Sequence, residues 1–486
     1  MFRVKKKVAV IALSLLVISL ISVIGYSAPK PAPLTIAMPT WGGSTDPLLM
    51  DEVKKEMEKQ TNTIIKMIAP PANTYSDKIN VLLSSGDIPD VFRINKAMVN
   101  VHTFTARGFA APLDKYVKKS KYLKNVEPKY FDYMRSAKGD IYALPRLKEQ
   151  QKVIWARKEI LDKYNVKLSS TPTTEEFLSE MLKVKKNSDI VPFSYSKFLD
   201  NLPFLYSSFG AYPEFVKDKK GKYFDSFNTP EMREAHVYIN RLYKEGVLDQ
   251  EFPTNDNSAM RNKLISGRAA SNLDYDNRYF FYLDGITRVE PDSKVDLVPI
   301  FKLAGPNGQG GTLNEAIQDA YMVSATSKYK QAATDFIAWM CYSAEGIKTV
   351  MVGVPGKHYV VVNGVGKLTP QAEAGGQSLS MNSVMGMFVD VKDLNLGFKF
   401  PDQDMFSKYL DLTKDINKHT GPKYVIPAGI SPLYDKYSAS LTKKRQELGL
   451  KMILGIASIE DAYKEYDAFF KSINGAQILK ELNTKK

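Results

Sequence analysis

The chain has a single cysteine, four histidines and three tryptophans in 486 residues, and these scarcities set the first limits on what it does. With only Cys341 there is no intramolecular disulfide, and its place in the apolar-periodic segment 332–342 suits a small buried hydrophobe. The histidines, His102, His236, His358 and His419, lie far apart in sequence, so each reads as structural or exposed rather than as part of a metal or catalytic set. The sequence contains no Gly-x-Ser-x-Gly, no His-Glu-x-x-His, no phosphate loop and no dinucleotide fingerprint, and Gly364-Val365-Gly366 lacks the third glycine such a fingerprint needs. Motif-bearing hydrolases, zinc peptidases and nucleotide-dependent enzymes are thereby set aside. Only one stretch, residues 8–24, is both long and apolar.

That stretch sits behind Arg3, Lys5, Lys6 and Lys7 and is followed by small residues, the pattern of a secretory leader. Cleavage after Ser27 places Gly25 and Ser27 where the peptidase wants small side chains, whereas cleavage after Ala28 leaves Pro29 at the cut. An uncleaved anchor is the alternative, although 17 residues are short for a span of ~20. Tyr26 follows Ile24-Gly25 where a lipoprotein would carry its modified cysteine, so lipid attachment is not expected. The expected location is outside the cell, secreted or at the outer face of the membrane.

The formal charge is +14, and the mature chain keeps +10 because the leader carries four cations and no acids. A basic balance suits nucleic acid, an anionic envelope or an acidic ligand. The lysines are scattered in pairs among acids (Lys118-Lys119, Lys185-Lys186, Lys219-Lys220, Lys443-Lys444) and no nucleic-acid motif accompanies them, which with the leader argues against nucleic acid. Length and a 44% hydrophobic content predict two or three folded domains, with two as the working number.

Strands alternate with helices at the start of the mature chain: strands at 34–38, 64–68 and 90–94, helices at 47–61 and 75–85, with a turn at Gly86-Asp87-Ile88-Pro89. This βαβαβ order predicts a parallel sheet covered by helices, with ligands at its C-terminal strand ends. Gly139-Asp140 is a turn before a strand at 141–144, and Pro145 ends that strand where the chain is expected to leave the domain. Helices follow at 173–185 and 229–245, the latter bounded by Thr-Pro and Gly246.

Three successive stretches carry a resemblance: Ser85-Gly86-Asp87-Ile88-Pro89-Asp90-Val91-Phe92, Gly108-Phe109-Ala110-Ala111-Pro112-Leu113-Asp114 and Gly139-Asp140-Ile141-Tyr142-Ala143-Leu144-Pro145. They resemble landmarks of the carbohydrate-binding extracellular solute-binding proteins (family 1). Residues 153–161, Thr171-Pro172-Thr173-Thr174-Glu175-Glu176, Gly267-Arg268-Ala269-Ala270 and 332–346 are similar to later blocks of that family. Gly353-Val354-Pro355-Gly356-Lys357-His358-Tyr359 and Ile453-Leu454-Gly455 resemble its oligosaccharide-binding subgroup. The resemblance implies an α/β fold of the two-lobe periplasmic-binding-protein type II, with a hinge crossed more than once. Lobe one would comprise 28–148 plus 295–343, and lobe two 149–294 plus 344–486. It also implies a monomeric, non-catalytic receptor with no cofactor, a carbohydrate ligand, and the membrane permease subunits of an ABC importer as partners. Many subgroup members have a calcium loop near 185–193, but Asn187 and Asp189 alone do not supply six to eight oxygens, so no metal is expected there. The residues leave a second reading open, an extracellular sugar-cleaving glycosidase or lyase, whose paired carboxylates need no motif.

Sugar recognition uses aromatic faces for pyranose rings and planar polar side chains for hydroxyls. Loops at strand ends offer Trp41, Arg93, Asn95 and Lys96 in lobe one, and Arg146, Glu149 and Trp155 around the crossing. Lobe two offers Asn201, Phe204, Tyr206, Asp274, Tyr275, Asn277 and Arg278. Core packing is the competing reading for each aromatic, and Trp339, at helical spacing with Phe336 and Met340, is assigned to the core outright. Arg93, Lys96, Arg146, Lys152 and Arg278 all fall in segments expected to line the cleft, where guanidinium groups suit ligand carboxylates.

Overall fold

The computed structural model describes residues 30–40, 51–72, 74–95, 97–136, 138–146, 150–197, 202–292, 295–311, 314–315, 319–374, 379–381, 387, 389, 397–419, 426 and 429–484. The expected leader lies outside them. In chain order the strands are β1 (Ala32–Ala37), β2 (Thr63–Ile68), β3 (Val91–Asn95), β4 (Leu144–Pro145), β5 (Gln150–Arg157), β6 (Val191–Ser194), β7 (Phe215–Lys217), β8 (Tyr223–Asp225), β9 (Ala269–Tyr275), β10 (Leu297–Ile300), β11 (Asn314–Glu315), β12 (Asp319–Val323), β13 (Tyr359–Val362) and β14 (Val365–Leu368).

The first sheet has the order β2-β1-β3-β12-β4. β1 runs parallel to β2 (Leu34 opposite Ile65) and to β3 (Ile36 opposite Val91). Parallel neighbours need a crossover, and helices Asp51–Thr61 and Tyr75–Ser85 supply the two. Helix Tyr75–Ser85 stops at Gly86, whose φ of 82° is a left-handed conformation open to glycine at little cost. At its other end the Tyr75 hydroxyl lies 3.0 Å from the Ala37 carbonyl and 2.8 Å from that of Arg93, which ties the helix to the C-terminal ends of β1 and β3. β12 enters antiparallel between β3 and β4. The core of this layer draws its buried residues from 34–144 and 320–350.

The second sheet has the order β10-β5-β9-β6, with β11 on the first residues of β5. β5 is central and covered on both faces, so Ile154 and Ala156 pack into one apolar cluster and Val153 and Trp155 into another. Helix Thr174–Asn187 starts on a reciprocal cap, the Glu176 amide donating to the Thr173 hydroxyl and the Thr173 amide to the Glu176 carboxylate. Helices Pro432–Leu454 and Ile459–Ser472 lie against helix Pro230–Lys244, burying His236 between Tyr206 and Tyr463.

The chain leaves the first sheet at Pro145 and joins the second at Gln150, then leaves the second at Glu315 and rejoins the first at Asp319. Because Asn314 pairs with Gln151, and Ala320 with Pro145, the described ends of the two crossings lie next to each other in each sheet. A third passage follows Ser343, whose hydroxyl caps helix Ala344–Met351. Val350 still packs in the first core, whereas Tyr359 packs in the second. This corrects one expected boundary. Residues 297–300, assigned by sequence to the first lobe, pair with Ile154–Arg157 of β5. An apolar run such as Leu297–Ile300 announces a buried strand but not which sheet accepts it.

Candidate functional site

The chain passes between the sheets at these two crossings, and charged side chains gather near their described ends in both sheets. On the first side, Asp319 opens β12 and Arg93 lies in the adjacent strand. Arg93 Nη2 donates to Asp319 Oδ2 at 2.5 Å, and Arg146 Nη1 approaches the same oxygen at 3.5 Å. The Arg146 amide donates to the Asp319 carbonyl at 2.9 Å, so backbone and side chain pin the end of β4 to the start of β12. Burial by itself would raise the Asp319 carboxyl, but Arg93 and then Arg146 outweigh it and hold the group below its usual range. Arg93 is buried, 5% exposed, and Arg146 is 22% exposed.

On the second side, β9 ends on Asp274 and Tyr275, and a 3-10 turn, Asp276–Arg278, leads into helix Tyr279–Val289. Asp274 is fully buried and is held by Arg261 through Nε at 2.6 Å and Nη2 at 3.1 Å, by the Tyr282 hydroxyl at 2.7 Å and by the Tyr275 amide at 2.8 Å. Burial would raise this carboxyl too, but Arg261, then Lys152 and Arg278, hold it far below the usual range. Lys152, opposite Tyr275 in the β5–β9 ladder, sets its ammonium 3.4 Å from the Tyr275 ring centroid. The neighbouring Asp276 behaves differently. Its carboxyl is raised by burial, and it accepts from the Gln151 amide at 3.2 Å and the Tyr409 hydroxyl at 3.0 Å. Gln151 in turn donates from Nε2 to Asn417 Oδ1 at 2.7 Å. Asn277 is buried with Oδ1 unpartnered, and Arg278 has a buried Nε with no partner while its guanidinium lies 5.6 Å from the Phe281 ring centroid.

The structure thus brings Arg93 and Arg146 to one carboxylate, and gathers Asp274, Tyr275, Asn277 and Arg278 with Lys152 around another. Four proposed ligand contacts lie in the core or are already engaged. Trp155 is 0% exposed, donates from Nε1 to the Tyr275 carbonyl at 3.0 Å and packs 5.5 Å from the Tyr279 ring, because β5 has no solvent face. Phe204 and Tyr206 lie in the short helix Pro203–Ser207 with their rings in the core, and the Tyr206 hydroxyl bonds His236 Nε2 at 3.1 Å. Asp274 is present at the site but committed to Arg261, so it positions cations rather than meeting solvent. Trp41, Lys96, Glu149, Asn201 and the side chain of Asn95 lie outside the described residues. Sequence reasoning missed Arg261, Asp276 and Asp319. Nothing local marks them, since Arg261 reaches Asp274 from 13 residues away and Asp319 reaches Arg93 from 226.

A model of the family described as bacterial extracellular solute-binding protein matches residues 42–345. The chain belongs to that family. Among curated relatives, this solute-binding protein is similar to Lipoprotein LipO of Bacillus subtilis (strain 168), 22% identical over 455 residues that cover 88% of this chain and 87% of LipO. It is also similar to the polygalacturonan/rhamnogalacturonan-binding protein YtcQ of the same organism, 27% identical over 237 residues, 45% of each chain. Among solved structures, the alginate-binding protein AlgQ2 without calcium ion superposes with a TM-score of 0.71 at 20% identity, covering 94% of this chain and 98% of AlgQ2. At that identity the likeness establishes the fold, the two-lobe type II arrangement expected from the sequence. Among the described residues, no helix of this solute-binding protein is long and apolar enough to cross a membrane.

Proposed function

We propose that this protein is the exported substrate-binding component of an ABC importer, which captures an oligosaccharide where its two sheets meet and hands it, chemically unchanged, to membrane permease subunits. The observation that carries this reading is the polar and charged set beside the paired crossings: Arg146 from the first sheet, with Gln151, Lys152, Tyr275, Asn277 and Arg278 from the second. Closure of two lobes about such crossings encloses a ligand that touches both. In this reading lobe one is built on the first sheet and lobe two on the second, residues 1–27 are a cleaved leader, and the mature protein acts outside the cell as a monomer. The similarity to proteins named for binding alginate and polygalacturonan supports a carbohydrate ligand. The non-catalytic part of the reading is supported by the relatives named as binding proteins, and two histidines are engaged inside the fold. His236 is buried against Tyr206 and Tyr463, and His358 Nδ1 accepts from the Val354 amide at 2.8 Å.

The test is calorimetric titration of the mature chain with a panel of oligosaccharides, with chromatography of the recovered sugar and small-angle scattering with and without it. Saturable binding, unaltered sugar and a smaller radius of gyration are expected. Cleaved sugar would establish the enzyme instead, and a panel without a single binder would remove the carbohydrate reading.

A further inference from the structure

Among the described residues, the charges around Asp274 do not balance. Arg261, Lys152 and Arg278 all act on that one carboxylate, and Arg261 alone occupies it with two hydrogen bonds. Asp276, next along the chain, has its oxygens engaged by the Gln151 amide and the Tyr409 hydroxyl. Even with Asp276 ionised, three cations face two carboxylates among the described residues. Lys152 is 5% exposed with its ammonium on the Tyr275 ring, a contact that supplies no negative charge. Arg278 has no ion pair among the described residues, its buried Nε lacks an acceptor, and Phe281 lies beneath its guanidinium. Burial, and after it repulsion from Arg261, lowers the affinity of Arg278 for its own proton. A fold that desolvates cations without matching anions is stabilised by an anion arriving from outside.

We propose, resting on the carbohydrate-receptor reading, that Arg278 and Lys152 form a carboxylate subsite and that the oligosaccharide bound is therefore acidic, with a uronate residue placed at the end of β9. The guanidinium is a planar fork that matches a carboxylate with two parallel hydrogen bonds, and the ring of Phe281 limits its rotation. The short turn Asp276–Arg278, anchored through Asp276 to β5 and to Tyr409, fixes the position of the fork before ligand arrives. Asn277, whose Oδ1 is unpartnered, adds an acceptor for a sugar hydroxyl beside it. The same chemistry would accept a free small carboxylate or a sulfate ester, and the experiment separates these sources.

The unaltered mature chain is titrated with oligogalacturonate, alginate oligosaccharide and glucuronoxylan fragments, each beside its methyl-esterified form, and with malto-oligosaccharide, sulfated oligosaccharide and monomeric galacturonate. The proposal expects at least one uronate oligosaccharide to bind roughly tenfold or more tighter than its own ester, with an affinity that weakens as salt rises. It expects the monomer and the sulfate ester to bind more weakly than that oligosaccharide. Arg278→Gln is expected to bring the acid-to-ester ratio close to one, and Arg278→Lys to restore part of it. An ester or a neutral sugar that binds as tightly as the acid, without salt dependence, overturns the carboxylate subsite and leaves the carbohydrate receptor intact. Preference for the sulfate ester or the free monomer overturns the uronate assignment. An Arg278→Gln chain that keeps the full acid-to-ester ratio overturns the role of Arg278, and a panel in which nothing binds overturns the receptor reading itself.

Discussion

The two carboxylates that flank the crossings are built from the same residue types and do different work. Asp319 joins three strands, since Arg93 comes from β3 and Arg146 follows β4, and its cations are spent on it. Asp274 lies inside a single sheet, is satisfied by Arg261, and leaves Lys152 and Arg278 over. The first cluster is a clasp that holds the crossing in register. The second holds unmatched charge at a strand end, which is where a ligand is met. Counting basic residues does not tell the two apart; whether each cation is hydrogen-bonded to the buried carboxylate does.

Breaking either carboxylate gives the largest expected effect. Asp274→Ala strands three cations and should cost about 5 kcal/mol of folding stability, and Asp319→Ala about 3 kcal/mol, both read from urea unfolding. Equal and small losses would mean that neither carboxylate is buried as described. Trp155→Ala should cost about 3 kcal/mol or more, because it opens a cavity between β5 and helix Tyr279–Val289. A loss below about 1 kcal/mol would return Trp155 to the ligand surface.

Acid sharpens the comparison. Both carboxyls titrate below their unfolded value of about 3.9, so each contributes stability that is present above that pH and is lost as pH falls through the folded-state value. Carbon-13 carboxyl titration by NMR should therefore show both groups still ionised when the pH reaches about 3.9. A carboxyl already half-protonated at or above that pH would contradict the cation contacts described for it. The smallest effect distinguishes the leftover cations by sign. Arg146→Met, which removes a partly exposed partner of Asp319, should lower stability by about 0.5–1 kcal/mol. Arg278→Gln, which relieves repulsion from Arg261, should raise it by a few tenths in the absence of ligand. Matching losses at both positions would make Arg278 an ordinary structural cation.

Local chemistry made much of the fold legible. The turn glycine after residue 85, the helix that begins next to Thr173 and the alternation of strands and helices up to residue 95 are signals carried within a few residues, and they lie within a few residues of where the sequence places them. The sheet membership of Leu297–Ile300 was not legible, because pairing partners are chosen over a distance of more than 100 residues. Of the proposed contacts, those just past a strand were the legible ones. Arg146 follows β4, and Asn277 and Arg278 follow β9, where the loops beyond a sheet begin. Whether Trp155 or Tyr206 faces a ligand depends on what covers the other side of its element, and no property of the residues themselves records that.

The central claim is that ligand is held at the crossings by the end of β9 and the start of β5. Hydrogen–deuterium exchange of the mature chain with and without a saturating oligosaccharide tests it most directly. Slowed exchange is expected in the peptides containing Gln151–Lys152 and Tyr275–Arg278, with that of helix Ile459–Ser472 unchanged. Protection confined to that helix, or spread evenly over the chain, would contradict the account.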